Sequence, residues 1–299
     1  MMDYREGLAE KGKMKRALAI HDLSGVGKCS LTVAMPILSA AGVECSAMPT
    51  AVLSTHTGGF GEVVCQDLTA AMLPFARHWM RERVSFDALY SGYLASHEQL
   101  GIVKEVFRLF RGGGASKPLV LVDPVMGDNG RLYSLCTAEM AVKMRELCES
   151  ADVIVPNLTE AAILLGREYR IPASREEVVE LMQALAGLGP RRVVLTGIRF
   201  GQDKIGAGCY DADLDWTGFA MQEEVPGHFH GTGDIFASVL LAGLLHGRGL
   251  EAAMGIAVDF TAESIRRTVK LGTEPRYGVC FELGLPGLLE RILDRPDKK

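Results

Sequence analysis

The segment His230-Gly231-Thr232-Gly233-Asp234 stands directly before an apolar run, Ile235 to Leu245. Glycines at the start of a helix leave consecutive backbone N–H groups aimed at one spot, and the helix dipole favours an anion there. Such a cradle suits the charge that develops on a phosphoryl group in transfer. A carboxylate beside it, Asp234, can accept the proton of an attacking hydroxyl. Alone, these residues are a weak signal, because Asp also caps helices routinely.

Two further clusters carry oxygen ligands. Asp123-Pro124-Val125-Met126-Gly127-Asp128 follows the apolar stretch Pro118 to Val122, and Pro156-Asn157-Leu158-Thr159-Glu160 follows Val153-Ile154-Val155. Carboxylates and amides of this kind suit magnesium, which keeps several waters and bridges phosphates. Asn157 reads equally as a helix N-cap, and Asp128-Asn129-Gly130 as a surface turn. Ser24-Gly25-Val26-Gly27-Lys28 imitates the end of a P-loop, but Asp22 and Cys29 stand where that pattern needs Gly and Ser or Thr. It reads better as a glycine-rich loop lining a ligand pocket.

These residues need a frame, and the chain supplies one by alternation. Short apolar strands are expected at Ala17–Ile20, Val43–Val52, Phe86–Tyr90, Pro118–Val122, Val153–Val155 and Val193–Leu195. Helical spacing fills the intervals: up to Ala41 with an interruption at Pro36, from a cap at Asp67 through Trp79, over Glu98–Phe110 and over Thr137–Cys148, then after Asn157. Ser174 and Glu177 have capping-box spacing for a helix through Leu188. Ala207 to Ala220 reads as a hairpin around Asp211 to Asp213, and Asp234–Leu245, Glu251–Val269 and Leu285–Leu293 as closing helices. The pattern predicts an α/β fold, a mostly parallel sheet covered on both faces. Asp22, Ser24, Asp123, Asn157, Glu160 and Thr196 all follow strands, and ligands bind beyond the carboxyl ends of such strands.

Composition narrows the classes. The 299 residues are 48% hydrophobic and 23% charged, with a net charge of −5 that argues against a nucleic-acid partner. Seven scattered cysteines lack any C-x-x-C spacing and read as reduced thiols. Residues 1–14 form a charged extension without an apolar core, ahead of one domain over 15–299. The longest apolar run is about half a membrane span. A cytoplasmic protein without membrane contact is expected.

Taken together, Ala19 to Gly27, Leu53 to Gly59, Ser91-Gly92-Tyr93, Asp123 to Asp128, Pro156 to Glu160, Val193 to Thr196 and Gly231 to Asp234 resemble the ribokinase-like superfamily. Within it they are similar to the vitamin kinases acting on pyridoxal and on hydroxymethylpyrimidine, in family order over Lys15 to Leu293. The resemblance implies a three-layer α/β/α fold, ATP as phosphoryl donor, Mg2+, a monovalent cation and a homodimer. It implies that Asp234 is the catalytic base and that Gly231, Thr232 and Gly233 form the anion hole. Asp123 and Glu160 would organise the metal and the ATP phosphates, with Asn157, Thr196 and Thr232 at the nucleotide. Asp22, Ser24, Thr57 and Tyr93 would line the heterocycle pocket beside Asp234. His56 would line it too, or serve a conformational role, and Tyr93 would stack on the ring or simply pack in the core.

The two relatives pull in different directions. Asp234 and Thr55-His56-Thr57-Gly58 resemble the pyridoxal kinases, whereas His21-Asp22-Leu23-Ser24-Gly25 and His230 resemble the pyrimidine kinases. The resemblance favours ATP-dependent phosphorylation of the 5′-hydroxyl of pyridoxal, pyridoxamine or pyridoxine. The alternatives are a hydroxymethylpyrimidine kinase, another small-molecule kinase of the superfamily, or a non-catalytic ligand sensor. Met126 to Tyr133, with two glycines, is the expected lid.

Overall fold

The structure, a computed structural model, describes residues 14–112, 117–133, 136–201 and 203–294. The expected polar extension therefore lies outside the described residues, apart from exposed Met14. The first half of the chain runs β1 (Arg16–Ser24), α1 (Leu31–Ala40), β2 (Glu44–Leu53), β3 (Cys65–Asp67), α2 (Thr69–Arg81), β4 (Ala88–Ser91), α3 (His97–Gly112) and β5 (Leu119–Val122). Next come β6 (Gly127–Asp128), β7 (Arg131–Leu132), α4 (Ala138–Glu149), β8 (Val153–Ile154), α5 (Leu158–Leu165) and α6 (Arg175–Ala186). The chain closes with β9 (Arg192–Arg199), β10 (Lys204–Asp211), β11 (Trp216–Glu223), α7 (Thr232–Leu245), α8 (Leu250–Leu271) and α9 (Leu288–Leu293).

Nine strands make one sheet in the order β11-β10-β9-β8-β5-β4-β1-β2-β3. The inner strands β2, β1, β4, β5, β8 and β9 pair in parallel, and β3, β10 and β11 add antiparallel edges. Period-two alternation divides the core. Ala17 and Ala19 pack with α1, α7 and α8 on one face, while Leu18 and Ile20 pack with α2 to α6 on the other. Small residues face α7 because that helix, buried continuously from Ile235 to Gly243, lies in the middle of its layer. The expected three-layer α/β/α arrangement is thus present.

The local differences have physical causes. β1 continues past Ile20 to Ser24 because β2 keeps pairing with it, across a bulge that sets Thr50 and Ala51 against Asp22. A bulge re-aims side chains at a strand end, and Asp22 lies on it. Asp67 does accept the Thr69 N–H at 2.8 Å, but it stands one residue ahead of the N-cap position, Leu68. Ser174 caps α6, yet the Glu177 carboxylate takes the Ala173 N–H one residue further out. Leu285–Leu293 is not one α-helix: with Gly284, Pro286 and Gly287 its first part is 3₁₀, and α9 begins at Leu288. The short strands β3, β6 and β7 escape periodicity arguments by their length. Among the described residues, no helix is long and apolar enough to cross a membrane, and all seven cysteines are free thiols.

Candidate active site

The carboxyl ends of β1, β4, β5 and β8 open on one side of the sheet, and the N-terminus of α7 meets them there. Gly231 precedes the helix at φ 80°, a left-handed conformation that glycine adopts freely. That turn starts α7 with the N–H groups of Thr232, Gly233 and Asp234 outside its own ladder, the first helical bond being Ile235 N–H to Gly231 O at 3.0 Å. The Thr232 hydroxyl donates to Phe229 O at 3.3 Å and steadies the approach. Two of these N–H groups, those of Thr232 and Gly233, belong to the cradle expected at Gly231, Thr232 and Gly233.

Asp234 sits in the first turn of α7. Its Oδ2 accepts the Ser30 N–H at 2.9 Å, and its Oδ1 lies 3.9 Å from His21 Nδ1. Burial, opposed by the Ser30 hydrogen bond and reinforced by nearby Asp22, pushes its pKa up to about 7. A carboxylate poised there is matched to general-base work near neutral pH. His21 beneath it is fully buried, and neither ring nitrogen has a hydrogen-bond partner among the described residues. Burial brings its pKa down to about 3, so the ring is neutral.

Asp22 is buried and receives two hydroxyls: Ser24 Oγ donates to Oδ2 at 3.0 Å and Ser30 Oγ to Oδ1 at 2.6 Å. Burial raises its pKa, and the two hydroxyls oppose that rise. Tyr93, two residues beyond β4, is half-buried near Asp22, with its pKa pushed up to about 12 mainly by burial. Thr57 is exposed in the loop after β2. His56 serves the fold: its Nδ1 accepts the Gly58 N–H at 3.0 Å, so Nε2 carries the proton donated to Arg276 O at 2.6 Å. Both ring nitrogens are thus engaged with backbone, which fits the conformational role expected as one of two for His56.

Asp123 and Glu160 occupy the neighbouring strand ends. Asp123 Oδ2 lies 3.8 Å from where a Cβ on Gly233 would stand, so this carboxylate faces the cradle. Its pKa is pushed well up, first by burial and then by the carboxylates of Glu160 and Asp234. No hydrogen-bond donor among the described residues reaches its carboxylate. Glu160 is engaged more locally: Oε2 accepts the Asn157 N–H at 2.8 Å and Oε1 the Met126 N–H at 3.1 Å. Burial nonetheless pushes its pKa up to about 8. Asn157 caps α5 through Oδ1 and donates from Nδ2 to Gly127 O at 2.9 Å. Thr196 lies inside β9 rather than after it and hydrogen bonds Pro156 O. These two residues fasten the loops around the acidic centre.

Met126 to Tyr133 folds as a small hairpin, β6–β7. Asn129 at φ 51° and Gly130 at φ 75° make its tip, the two left-handed residues of a type I′ turn. The Gly130 N–H donates to Thr159 Oγ1 at 2.9 Å, so the expected lid is tethered at its tip as well as its base.

Lys28 settles the P-loop imitation. Its ammonium pairs with Glu282 at 3.0 Å and lies over the Phe281 ring, turned to the C-terminal segment. Lys28→Met is expected to leave the KM for ATP within about fivefold, since an exposed ion pair is worth at most about 1 kcal/mol. Initial-rate titration of ATP checks this. Sequence reasoning missed Ser30 and gave His21 no role. Ser30 stands at φ 55°, unusual for a non-glycine residue, and a sequence gives no sign of that backbone.

Comparison with known proteins bears on the family of the chain and on its fold. A family model described as phosphomethylpyrimidine kinase matches residues 36–278. A pyridoxal kinase of Rubrobacter xylanophilus is 28% identical over 85% of this chain and 88% of its own length. A Bacteroides thetaiotaomicron protein assigned as a phosphomethylpyrimidine kinase, crystallised with pyridoxal, superposes with a TM-score of 0.88 at 37% identity, over 96% of this chain and 98% of that one. A pyridoxal kinase from Lactobacillus plantarum superposes with a TM-score of 0.84 at 31% identity, over 93% and 98%. The chain belongs to the phosphomethylpyrimidine kinase family and is a kinase of the ribokinase-like superfamily.

Proposed function

We propose that this protein transfers the γ-phosphoryl group of ATP to the 5′-hydroxyl of a vitamin B6 compound, pyridoxal, pyridoxamine or pyridoxine. The observation that carries the reading is Asp234, held by the Ser30 N–H at the mouth of a helix N-terminus with its pKa near 7. In this reading Asp234 takes the proton of the 5′-hydroxyl as its oxygen attacks. The N–H groups of Gly231, Thr232 and Gly233 donate hydrogen bonds to the phosphoryl oxygens as charge spreads over them. The pyridoxal seen with the Bacteroides protein and the pyridoxal kinases among the relatives support B6 as the acceptor class.

Asp123 fits a magnesium ion: it is a buried carboxylate without a hydrogen-bond donor, crowded by two others. Among the described residues no three His, Cys, Asp or Glu side chains converge into a metal cage. One or two carboxylates plus phosphates and waters is the usual arrangement for this ion. When bound, the ion would supply charge neutralisation on the phosphates. Asp123 would hold it directly, and Glu160 through the Met126 and Asn157 loops it anchors. A cytoplasmic homodimer belongs to the same reading.

Asp22 determines which acceptor is preferred. A buried carboxylate beside Tyr93 favours a ring or amine carrying a proton. Asp22→Asn is expected to raise the KM for pyridoxamine about tenfold more than that for pyridoxal, the worth of one charge-assisted hydrogen bond. Steady-state rates with the two vitamers check it. Asp22 is also the residue that favours a second reading, a hydroxymethylpyrimidine acceptor. ADP release against the three vitamers, hydroxymethylpyrimidine and ribose separates the two. The vitamers are expected to lead, and a lead for the pyrimidine would reverse the assignment. Pyridoxal binding without ADP release from any acceptor would support a ligand sensor.

A further inference from the structure

Asp22 and Asp234 come from different layers, one near the carboxyl end of strand β1 in the sheet and the other on α7. Ser30 hydrogen bonds to both. Its N–H donates to Asp234 Oδ2 at 2.9 Å and its hydroxyl to Asp22 Oδ1 at 2.6 Å. The residue is buried, at 4% exposure, so water is no ready substitute for either bond.

Its backbone is unusual in a way that serves this bridge. Ser30 occupies the N-cap position of α1, where a serine hydroxyl ordinarily accepts an N–H from its own helix. Here it makes no cap hydrogen bond and adopts φ 55°, ψ −128°. The hydroxyl goes across to Asp22 instead, and the rare φ turns the N–H toward Asp234. Unusual backbone held at a site by its surroundings commonly marks a functional constraint.

We propose that Ser30 is a positioning residue coupling acceptor recognition at Asp22 to the placement of the base Asp234. The inference rests on the kinase reading above. Deleting the hydroxyl frees one oxygen of Asp22 and releases the tether that fixes the direction of the Ser30 N–H. One substitution therefore disturbs both ring recognition and the chemical step.

The test is a double-mutant cycle of Ser30→Ala and Asp22→Ala on the full chain, with the acceptor that the wild-type enzyme phosphorylates best; alanine at 22 removes the oxygen that takes the Ser30 hydroxyl. Ser30→Ala is expected to lower kcat about tenfold and raise the acceptor KM about tenfold, the range for a hydrogen bond to a charged group. The KM for ATP stays unchanged. Introduced into Asp22→Ala, the same substitution changes both constants less than about twofold, because interacting positions are not additive. If Ser30→Ala misfolds at its positive φ, Ser30→Gly adopts that conformation freely and carries the same test. Wild-type constants in the folded variant, or equal effects in both backgrounds, would overturn this inference alone. A wild-type protein that releases ADP with no acceptor would overturn the kinase reading and this inference with it.

Discussion

Asp234→Asn is expected to lower kcat by about 10²–10⁴-fold, the usual contribution of a general base, with acceptor binding retained. The amide keeps the shape and can still accept the Ser30 N–H through its carbonyl oxygen. What it loses is the ability to take a proton. Because burial pushes the Asp234 pKa up to about 7, wild-type kcat/KM for the acceptor rises with pH through that value, and the residual rate of the variant does not follow it. The stability effect has the opposite sign. The raised carboxyl binds its proton more readily in the fold than in the unfolded chain, where its pKa is about 3.9. Its contribution to stability is full below that value and is lost as pH rises through about 7. The asparagine variant has no charge to bury, so its Tm should exceed that of the wild type at pH 8, and the gap should close by about pH 4. Rate profiles and thermal melts across pH check both halves.

Gly231→Ala and Gly233→Ala are expected to separate fold from chemistry. At Gly231 a Cβ would stand 2.1 Å from the Lys28 carbonyl oxygen, at φ 80°. A backbone carbonyl cannot swing aside as a side-chain end can. Left-handed strain and overpacking together cost about 2–4 kcal/mol, and the cradle moves with the turn. Both Tm and kcat should fall, kcat by about 10²-fold or more, as when an oxyanion donor is displaced. At Gly233 the nearest atom to a Cβ is Asp123 Oδ2 at 3.8 Å, an ordinary contact. The fold tolerates that methyl, and Ala suits a helix better than Gly. The methyl projects toward the phosphoryl site, however, so kcat should fall with Tm held or raised. Thermal melts beside steady-state rates distinguish the pair.

Much of the frame was legible because its signals are local and periodic. Buried parallel strands read as continuous apolar runs, and Asn157 with Glu160 announces the start of α5 by residue type alone. The acidic centre was legible as polar residues after strands. Two other features were not. The bulge opposite Asp22 is decided by pairing with β2, thirty residues away in the chain, and β1 consequently outran its apolar stretch. Ser30 looks like any helix-capping serine. Its bridging role depends on a backbone angle and on two carboxylates distant in sequence, neither of which periodicity can express. Lys28 shows the converse: a familiar glycine-lysine spacing whose ammonium is held elsewhere by Glu282.

Phosphorus NMR of the wild-type protein with magnesium, ATP and pyridoxal tests the central claim most directly. The account predicts loss of the γ-phosphate resonance with matching growth of a phosphomonoester on the 5′-oxygen of the vitamer, and suppression of both in Asp234→Asn. Unchanged ATP in the wild type, or product formation at the wild-type rate in Asp234→Asn, would contradict it.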